Sequence, residues 1–250
     1  MNNKEVQLSK KGRLIVVTDL HGNIDDYRKY LKHWKSDDKN NHIVFAGDLI
    51  HNPYGYDGSV EIMDDVIQKT TEYENFHVLL GNHEWAHIIN KSINKSNINQ
   101  TESFEKLITS NNKSLQHTLD EYVEFFKTLP YFLKTDNGIF ISHSGPSKKI
   151  KTIDDYYKIF DDNYNNPILY DFLWNRPDDY DQMDVENFLD IIDSNCMIIG
   201  HNHVNGFKKI GNQIIISSSF LCDNKIYFNI NLEKKINDMD DLMNYMEFLE

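Results

Sequence analysis

The chain predicts an α/β fold, a sandwich of two mixed β-sheets flanked by helices, and three observations predict it. Five apolar runs of five or six residues, RLIVVT, HIVFAG, FHVLLG, GIFIS and CMIIG, have the length and aliphatic content of interior strands. Through the first third of the chain these runs alternate with helical patterns, as in βαβ units. After the last of them the pattern turns purely β, in QIIISSS and KIYFNINL.

Taken in order, the first helix starts at a cap, Asn23, with Asp25 and Asp26 in its first turn, and runs to about Lys35. Ser59 opens the second, VEIMDDVIQKT. From Asn90 to Asn112 the chain is polar and Asn-rich, and Leu115 to Leu129 has helical spacing before Pro130, so residues of about 90–130 read as a helical insertion with loose loops. Asp161 to Asn166 reads as a surface loop ahead of LYDFLWNRPDDY, and Asp184 to Asp193 as a helix leading into CMIIG. Asp223-Asn224 reads as the turn between the two late strands. A helix over about 238–250, with Met239, Leu242, Met243, Met246 and Leu249 on one face, closes the chain. Packing on its own domain is its simplest role, and a partner contact the alternative. All motif blocks from Asp19 to His203 must cooperate in one site, so the 250 residues read as one domain.

Composition narrows the function. Lys plus Arg number 26 against 39 Asp plus Glu, a formal charge of -13, which repels nucleic acid and anionic membranes at a distance. A phosphate-bearing substrate then needs a locally positive site, which two divalent cations would supply. Two cysteines, Cys196 and Cys222, support no disulfide scaffold, and both read as small buried residues beside strands. The first residues, MNNKEVQLSKK, hold no apolar signal-peptide core, and no apolar run approaches the ~20 residues of a membrane span. The expectation is a cytoplasmic protein.

Each of the five runs ends on a metal-ligand type of residue: Asp19 and His21, Asp48, Asn82-His83-Glu84, His143, and His201-Asn202-His203. Ligands at the carboxyl ends of strands converge on one edge of a sheet. In an extended strand end, Asp19 and His21 point the same way and can reach one ion. Asp48 has two oxygens and can bridge two ions, the second filled by Asn82, His143 and His201. Carboxylate, imidazole and amide ligands without thiolate suit Mn, Fe, Zn or Co better than Mg alone. Two such ions ~3.5–4 Å apart can clamp a phosphoryl group.

Asp19-x-His21-Gly22, Gly47-Asp48, Gly81-Asn82-His83-Glu84, His143 and Gly200-His201 resemble the calcineurin-like metallophosphoesterases, in order and spacing, from about residue 13 to 230. Trp174-Asn175-Arg176 resembles the segment in which the phosphoprotein phosphatases of that superfamily, especially the small bacterial and phage-type members, place a phosphate-binding arginine. The resemblance implies that Asp19, His21 and Asp48 hold one metal and Asp48, Asn82, His143 and His201 the other, with Mn2+ foremost and Fe, Zn, Co or Ni as alternatives. It implies His83 as general acid, Glu84 as the residue that orders its loop, and in-line attack on phosphorus by a hydroxide bridging the metals. Arg176 has separate support: of three arginines, Arg13 precedes the first strand and Arg28 lies inside a helix, so only Arg176 is free to face the site. A guanidinium grips two phosphate oxygens at once.

Two departures bear on the substrate. Where the phosphoprotein phosphatases carry an Asp that orients the catalytic histidine and an Arg that holds phosphate, this chain has His51 and Asn52. His51 can support His83, bind phosphate when protonated, or be a loop residue. The wider metallophosphoesterases, unlike the phosphoprotein phosphatases, have a histidine two residues past the last ligand. In an extended segment His203 would share a face with His201 and complete the first metal's shell. His33, His42, His77, His87 and His117 read as structural or surface residues, and Tyr54 and Tyr56 as loop packing.

The function expected is hydrolysis of phosphate monoesters, phosphoserine, phosphothreonine or phosphotyrosine in proteins or a small phosphorylated substrate. The alternatives are a nucleotide-directed phosphodiesterase or dinucleoside polyphosphate hydrolase, and a non-catalytic metal-bound adaptor. The complete ligand set with His83 disfavours the adaptor.

Overall fold

The computed structural model describes residues 4–95, 97–161 and 164–250. Two mixed sheets form its frame. One runs, strand by strand, Met246–Phe248, Ile226–Asn231, Arg13–Val17, Asn41–Phe45, Phe76–Val78; the other runs Glu5–Leu8, Phe132–Thr135, Ile139–Ser142, Cys196–Ile199, Gln213–Ile216, Phe207–Ile210. The three ligand-bearing strands of the first sheet, Arg13–Val17, Asn41–Phe45 and Phe76–Val78, are adjacent and parallel. The two of the second, Ile139–Ser142 and Cys196–Ile199, are also adjacent and parallel. Parallel pairing delivers all the carboxyl ends within each sheet to one edge.

Burial on both faces explains why these runs are continuously apolar rather than alternating. Leu14, Val16, Val44, Ile141, Ile198 and Phe228 fill the layer between the sheets. The intervening Ile15, Val17, Ile43 and Phe45 pack outward on Tyr27, Tyr30, Val60 and Met63 of the covering helices. Each such side chain, fully buried, contributes about 1.5–3 kcal/mol.

The helix Ile24–His33 is capped as its sequence predicts, Asn23 accepting from the Asp26 N–H. The helix Ser59–Glu72 begins at Ser59, but that hydroxyl does not cap it; Ser59 Oγ instead accepts the His51 N–H at 3.0 Å and donates to Asp57. The hairpin Asn94–Lys95/Ile98–Asn99 and the helices Gln100–Ser110 and Leu115–Thr128 occupy the polar insertion. Further on come the helices Pro167–Trp174 and Gln182–Ile191. The loop expected at Asp161 to Asn166 includes residues 162 and 163, which lie outside the described residues. Among the described residues no helix is long and apolar enough to cross a membrane.

Three expectations are corrected. The closing helix over about 238–250 is a single turn, Met239–Met243, followed by the strand Met246–Phe248. That strand pairs antiparallel with Ile226–Asn231, where Tyr227 and Asn229 both donate to Glu247. A short isolated helix is marginal, and the open edge of a sheet supplies the backbone partners it lacks. Asp223-Asn224 does not close a hairpin, because Gln213–Ile216 and Ile226–Asn231 belong to different sheets. The partner of Gln213–Ile216 is Phe207–Ile210, reached through Gly211 at φ +55°. Cys196 is buried between the sheets as expected, whereas Cys222 is only partly buried.

Candidate active site

The site is built on backbone that turns sharply as each strand ends. Asp19, His21, Asp48, His51 and His201 have φ of 43°, 45°, 55°, 72° and 63°, a left-handed region that costs a non-glycine residue on the order of 1–3 kcal/mol. The extended strand ends expected of Asp19-x-His21 and His201-x-His203 are therefore absent. The first turn still serves, because the His21 and Gly22 N–H groups donate to the carbonyls of Asp48 and Leu49 at 2.9 and 2.7 Å and lock the two loops together. His203, two residues past the turn at His201, still lines the cavity beside His21, Asp48 and His83. Its exposed ring rests on Phe220, centroids 5.1 Å apart, and its Nε2 accepts from Lys95 Nζ at 2.8 Å.

Asp48 stands between two clusters of donor atoms, both buried: His21, Asp48 and His83 form one, Asp48, His143 and His201 the other. Its Oδ2 lies 3.6 Å from His21 Nε2, and its Oδ1 lies 3.5 Å from His143 Nε2. Asn82 Oδ1 joins the second cluster, 2.8 Å from His143 Nε2 and 3.0 Å from His201 Nδ1. Asp19 is in neither cluster. It turns both carboxylate oxygens to the His201 N–H, at 3.0 and 2.9 Å.

The protons of these rings say what the clusters are suited to hold. His21 Nδ1–H donates to the Ile50 carbonyl and His143 Nδ1–H to that of Ala46. With Nδ1 so engaged, each ring turns Nε2 inward, His21 toward a carboxylate and His143 toward the Asn82 carbonyl. Imidazole, carboxylate and amide atoms converging in this way are a donor set suited to cations. Burial also pushes the Asp19 carboxyl up to about 7, with His143 opposing and Asp48 adding to it, and holds His21 down to about 3. Asp48 is raised by its own burial and by Glu84. Buried carboxylates beside neutral imidazoles fit divalent cations, whose charge reverses that penalty.

His83, the second residue of the helix Asn82–Ile88, faces the first cluster, with Nε2 3.9 Å from Asp48 Oδ2. Behind it runs a row of imidazoles: His83 Nδ1 is 2.8 Å from His51 Nδ1, and His51 Nε2 is 2.9 Å from His87 Nε2. A proton on His83 Nε2 suits the facing carboxylate, and it sets the direction of the row: His87 donates to His51, and His51 donates to His83. Burial lowers the pKa of all three rings, that of His87 to about 4. Glu84, also buried, accepts the N–H groups of Asp48, Leu49 and Gly81 at 2.9, 2.8 and 3.2 Å, tying the Asp48 loop to the Asn82 loop.

Arg176 lines a cavity of about 170 Å3 shared with His21, Asp48, Asn82, His83 and Lys95, and its Nη1 donates to Asn202 Oδ1 at 3.3 Å. Arg13 and Arg28 are engaged elsewhere, with Asn229 and Glu61. Two expected substrate contacts are not brought to this cavity. His51 is buried behind His83, and the Asn52 amide closes its own loop through Tyr54 N–H and the Tyr56 carbonyl. His87, Lys95 and Phe220 were not foreseen. His87 lies four residues from His83 on one helix, a spacing that could have flagged it; Lys95 and Phe220 carry no such signal.

The family of calcineurin-like phosphoesterases matches residues 12–205, and the chain belongs to it. It is thereby a metallophosphoesterase. The fold is similar to that of a protein serine/threonine phosphatase from Saccharomyces cerevisiae with similarity to human phosphatase PP5, at TM-score 0.75 and 18% identity over 99% of this chain and 84% of that one. It is also similar to the cold-active protein-tyrosine phosphatase of a psychrophilic Shewanella species, at 0.66 and 16% over 100% and 85%. A candidate diadenosine tetraphosphatase aligns at 0.50 and 16%, over 90% and 92%. No curated protein matches the chain in sequence.

Proposed function

We propose that this metallophosphoesterase hydrolyses phosphate monoesters, with phosphorylated side chains of proteins as the substrate class, using two divalent cations of which Mn2+ is the foremost candidate. The observation that carries the reading is Asp48, whose two oxygens face two separate donor clusters 3.6 and 3.5 Å away. Asp19, His21 and Asp48 would hold one cation, and Asp48, Asn82, His143 and His201 the other. Bound there, the pair would supply water activation and neutralisation of phosphoryl charge.

The remaining chemistry belongs to the side chains. His83 passes its Nε2 proton to the departing oxygen as the Nδ1 proton of His51 moves onto His83 Nδ1 and the Nε2 proton of His87 moves onto His51, with water returning a proton to His87, so that each ring ends neutral. Arg176, at the cavity mouth, grips non-bridging oxygens. Glu84 holds the Asp48 and Asn82 loops at a fixed separation. The similarity to two protein phosphatases supports the reading.

Metal analysis of the purified protein, followed by parallel rates on an aryl phosphomonoester and a bis-aryl phosphodiester, tests the reading. Two metals per chain and dominant monoester turnover are expected, with His83→Asn losing turnover and keeping its metals. Fewer than two metals after reconstitution, or dominant diester turnover, would remove it.

A further inference from the structure

The cavity holds a second cation that no family motif marks. Lys95 reaches it from the hairpin Asn94–Lys95/Ile98–Asn99 and lines it with Arg176, His21, Asp48 and His83. Its ammonium sits 4.5 Å from the centre of the Phe220 ring and donates to His203 Nε2 at 2.8 Å. Among the described residues no carboxylate lies within ion-pair distance of it. An ammonium has three N–H donors, and the single hydrogen bond to His203 leaves two for a ligand.

The surroundings select an anion. His203 meets Lys95 through Nε2 as an acceptor and brings no negative charge to it. The aromatic face stabilises the positive charge without neutralising it. Burial lowers the Lys95 pKa, the charge of Asp48 raises it, and Arg176 lowers it, so the two cations sense one another across the cavity. Two like charges held at one small cavity repel until an anion lies between them. At the position where the phosphoprotein phosphatases carry a phosphate-holding arginine, Asn52 is engaged with its own loop and supplies no charge.

We infer that Lys95 is a substrate-binding residue of this site, forming with Arg176 a two-cation clamp on the non-bridging oxygens of a phosphate monoester dianion and favouring it over a diester monoanion. This rests on the phosphomonoesterase reading above. The insertion that carries Lys95 thus determines specificity, because the added cation acts more strongly on two charges than on one.

The test compares Lys95→Met, Lys95→Arg and, as a control for lost charge in the same insertion, Lys106→Met, all in the full chain loaded with Mn2+. Calorimetric titration with inorganic phosphate reads binding, and steady-state rates on an aryl phosphomonoester and a bis-aryl diester read specificity. Lys95→Met is expected to weaken phosphate binding and raise the monoester KM about tenfold each, with kcat changed less than about threefold. The ratio of monoester to diester kcat/KM falls by a similar factor, Lys95→Arg recovers most of the loss, and Lys106→Met matches wild type. Unchanged phosphate binding in Lys95→Met overturns the inference, as does a loss that follows lower metal content, since Lys95 would then be acting on the ligands. Should the wild type fail to turn over monoesters, the functional reading falls while the phosphate titration still decides Lys95.

Discussion

His51 Nδ1 lies 2.8 Å from His83 Nδ1, and this contact fills the place that a carboxylate occupies in the phosphoprotein phosphatase pattern. A carboxylate can only accept, which fixes a proton on the facing nitrogen. An imidazole can donate or accept, and its direction is set by what lies behind it. Here that is His87 Nε2, at 2.9 Å from His51 Nε2.

Removing the middle ring should therefore release His83. His51→Leu is expected to lower kcat about 10–100-fold while metal content and KM change little. His51→Asp, which returns an acceptor to the row, should remain within about tenfold of wild type, with a pH optimum moved upward because a carboxylate stabilises the protonated ring. Steady-state pH profiles with metal analysis check this. Wild-type kcat in His51→Leu would show that the row has no part in turnover.

How far such a site can be read from sequence depends on the range of the interactions that build it. The five strands were legible because burial on both faces writes itself as unbroken apolar runs, and the ligand types because each follows its strand directly. The row behind His83 was not, since His51 and His87 meet only when a loop folds over a helix 36 residues away. The contact of His203 with Lys95 and Phe220 was hidden for another reason: a histidine, not a glycine, takes the left-handed turn at His201, at φ 63°. Met246 fits a helix face locally, and only its pairing with Phe228 makes it strand.

Glu84 should matter more to stability than to chemistry. Three buried backbone N–H groups, of Asp48, Leu49 and Gly81, lose their acceptor in Glu84→Ala, at about 1–3 kcal/mol each. With about 2–4 °C of Tm per kcal/mol for a chain of this size, a fall of ~10 °C is expected by calorimetry, together with loss of both metals. Glu84→Gln keeps one acceptor oxygen and should fall between. A Glu84→Ala Tm within about 2 °C of wild type would mean that the two loops are held by other contacts.

Gly200 is required by space rather than by backbone angle. A Cβ there would stand 1.9 Å from Asp19 Oδ2 and 2.7 Å from Thr18 Cβ. Gly200→Ala must push the Asp19 carboxylate off the His201 N–H, so metal content should drop from two toward one per chain, with a loss of activity larger than the loss of stability. Retention of two metals in that variant would place Asp19 outside the ligand set.

Acid should separate the metal-free protein from the loaded one. Burial holds His21 and His77 down to about 3 and His87 to about 4, each against 6.5 for an imidazole free in water. Between those values the unfolded chain binds more protons than the folded one, so the stability from these neutral rings is present above pH 6.5 and is lost as pH falls. Asp19, raised from 3.8 to about 7, works in the opposite sense over that window, as the folded form binds the extra proton, and three histidines outweigh it. The Tm of chelator-treated protein should thus fall from pH 7 to pH 4.5. Cations require Asp19 deprotonated and the imidazoles neutral, so the rise in Tm on adding Mn2+ should be largest above about pH 7 and shrink steadily below it. Scanning calorimetry of both forms at half-unit pH steps measures this, and a metal-induced rise in Tm that does not vary with pH would exclude Asp19 as the proton released on binding.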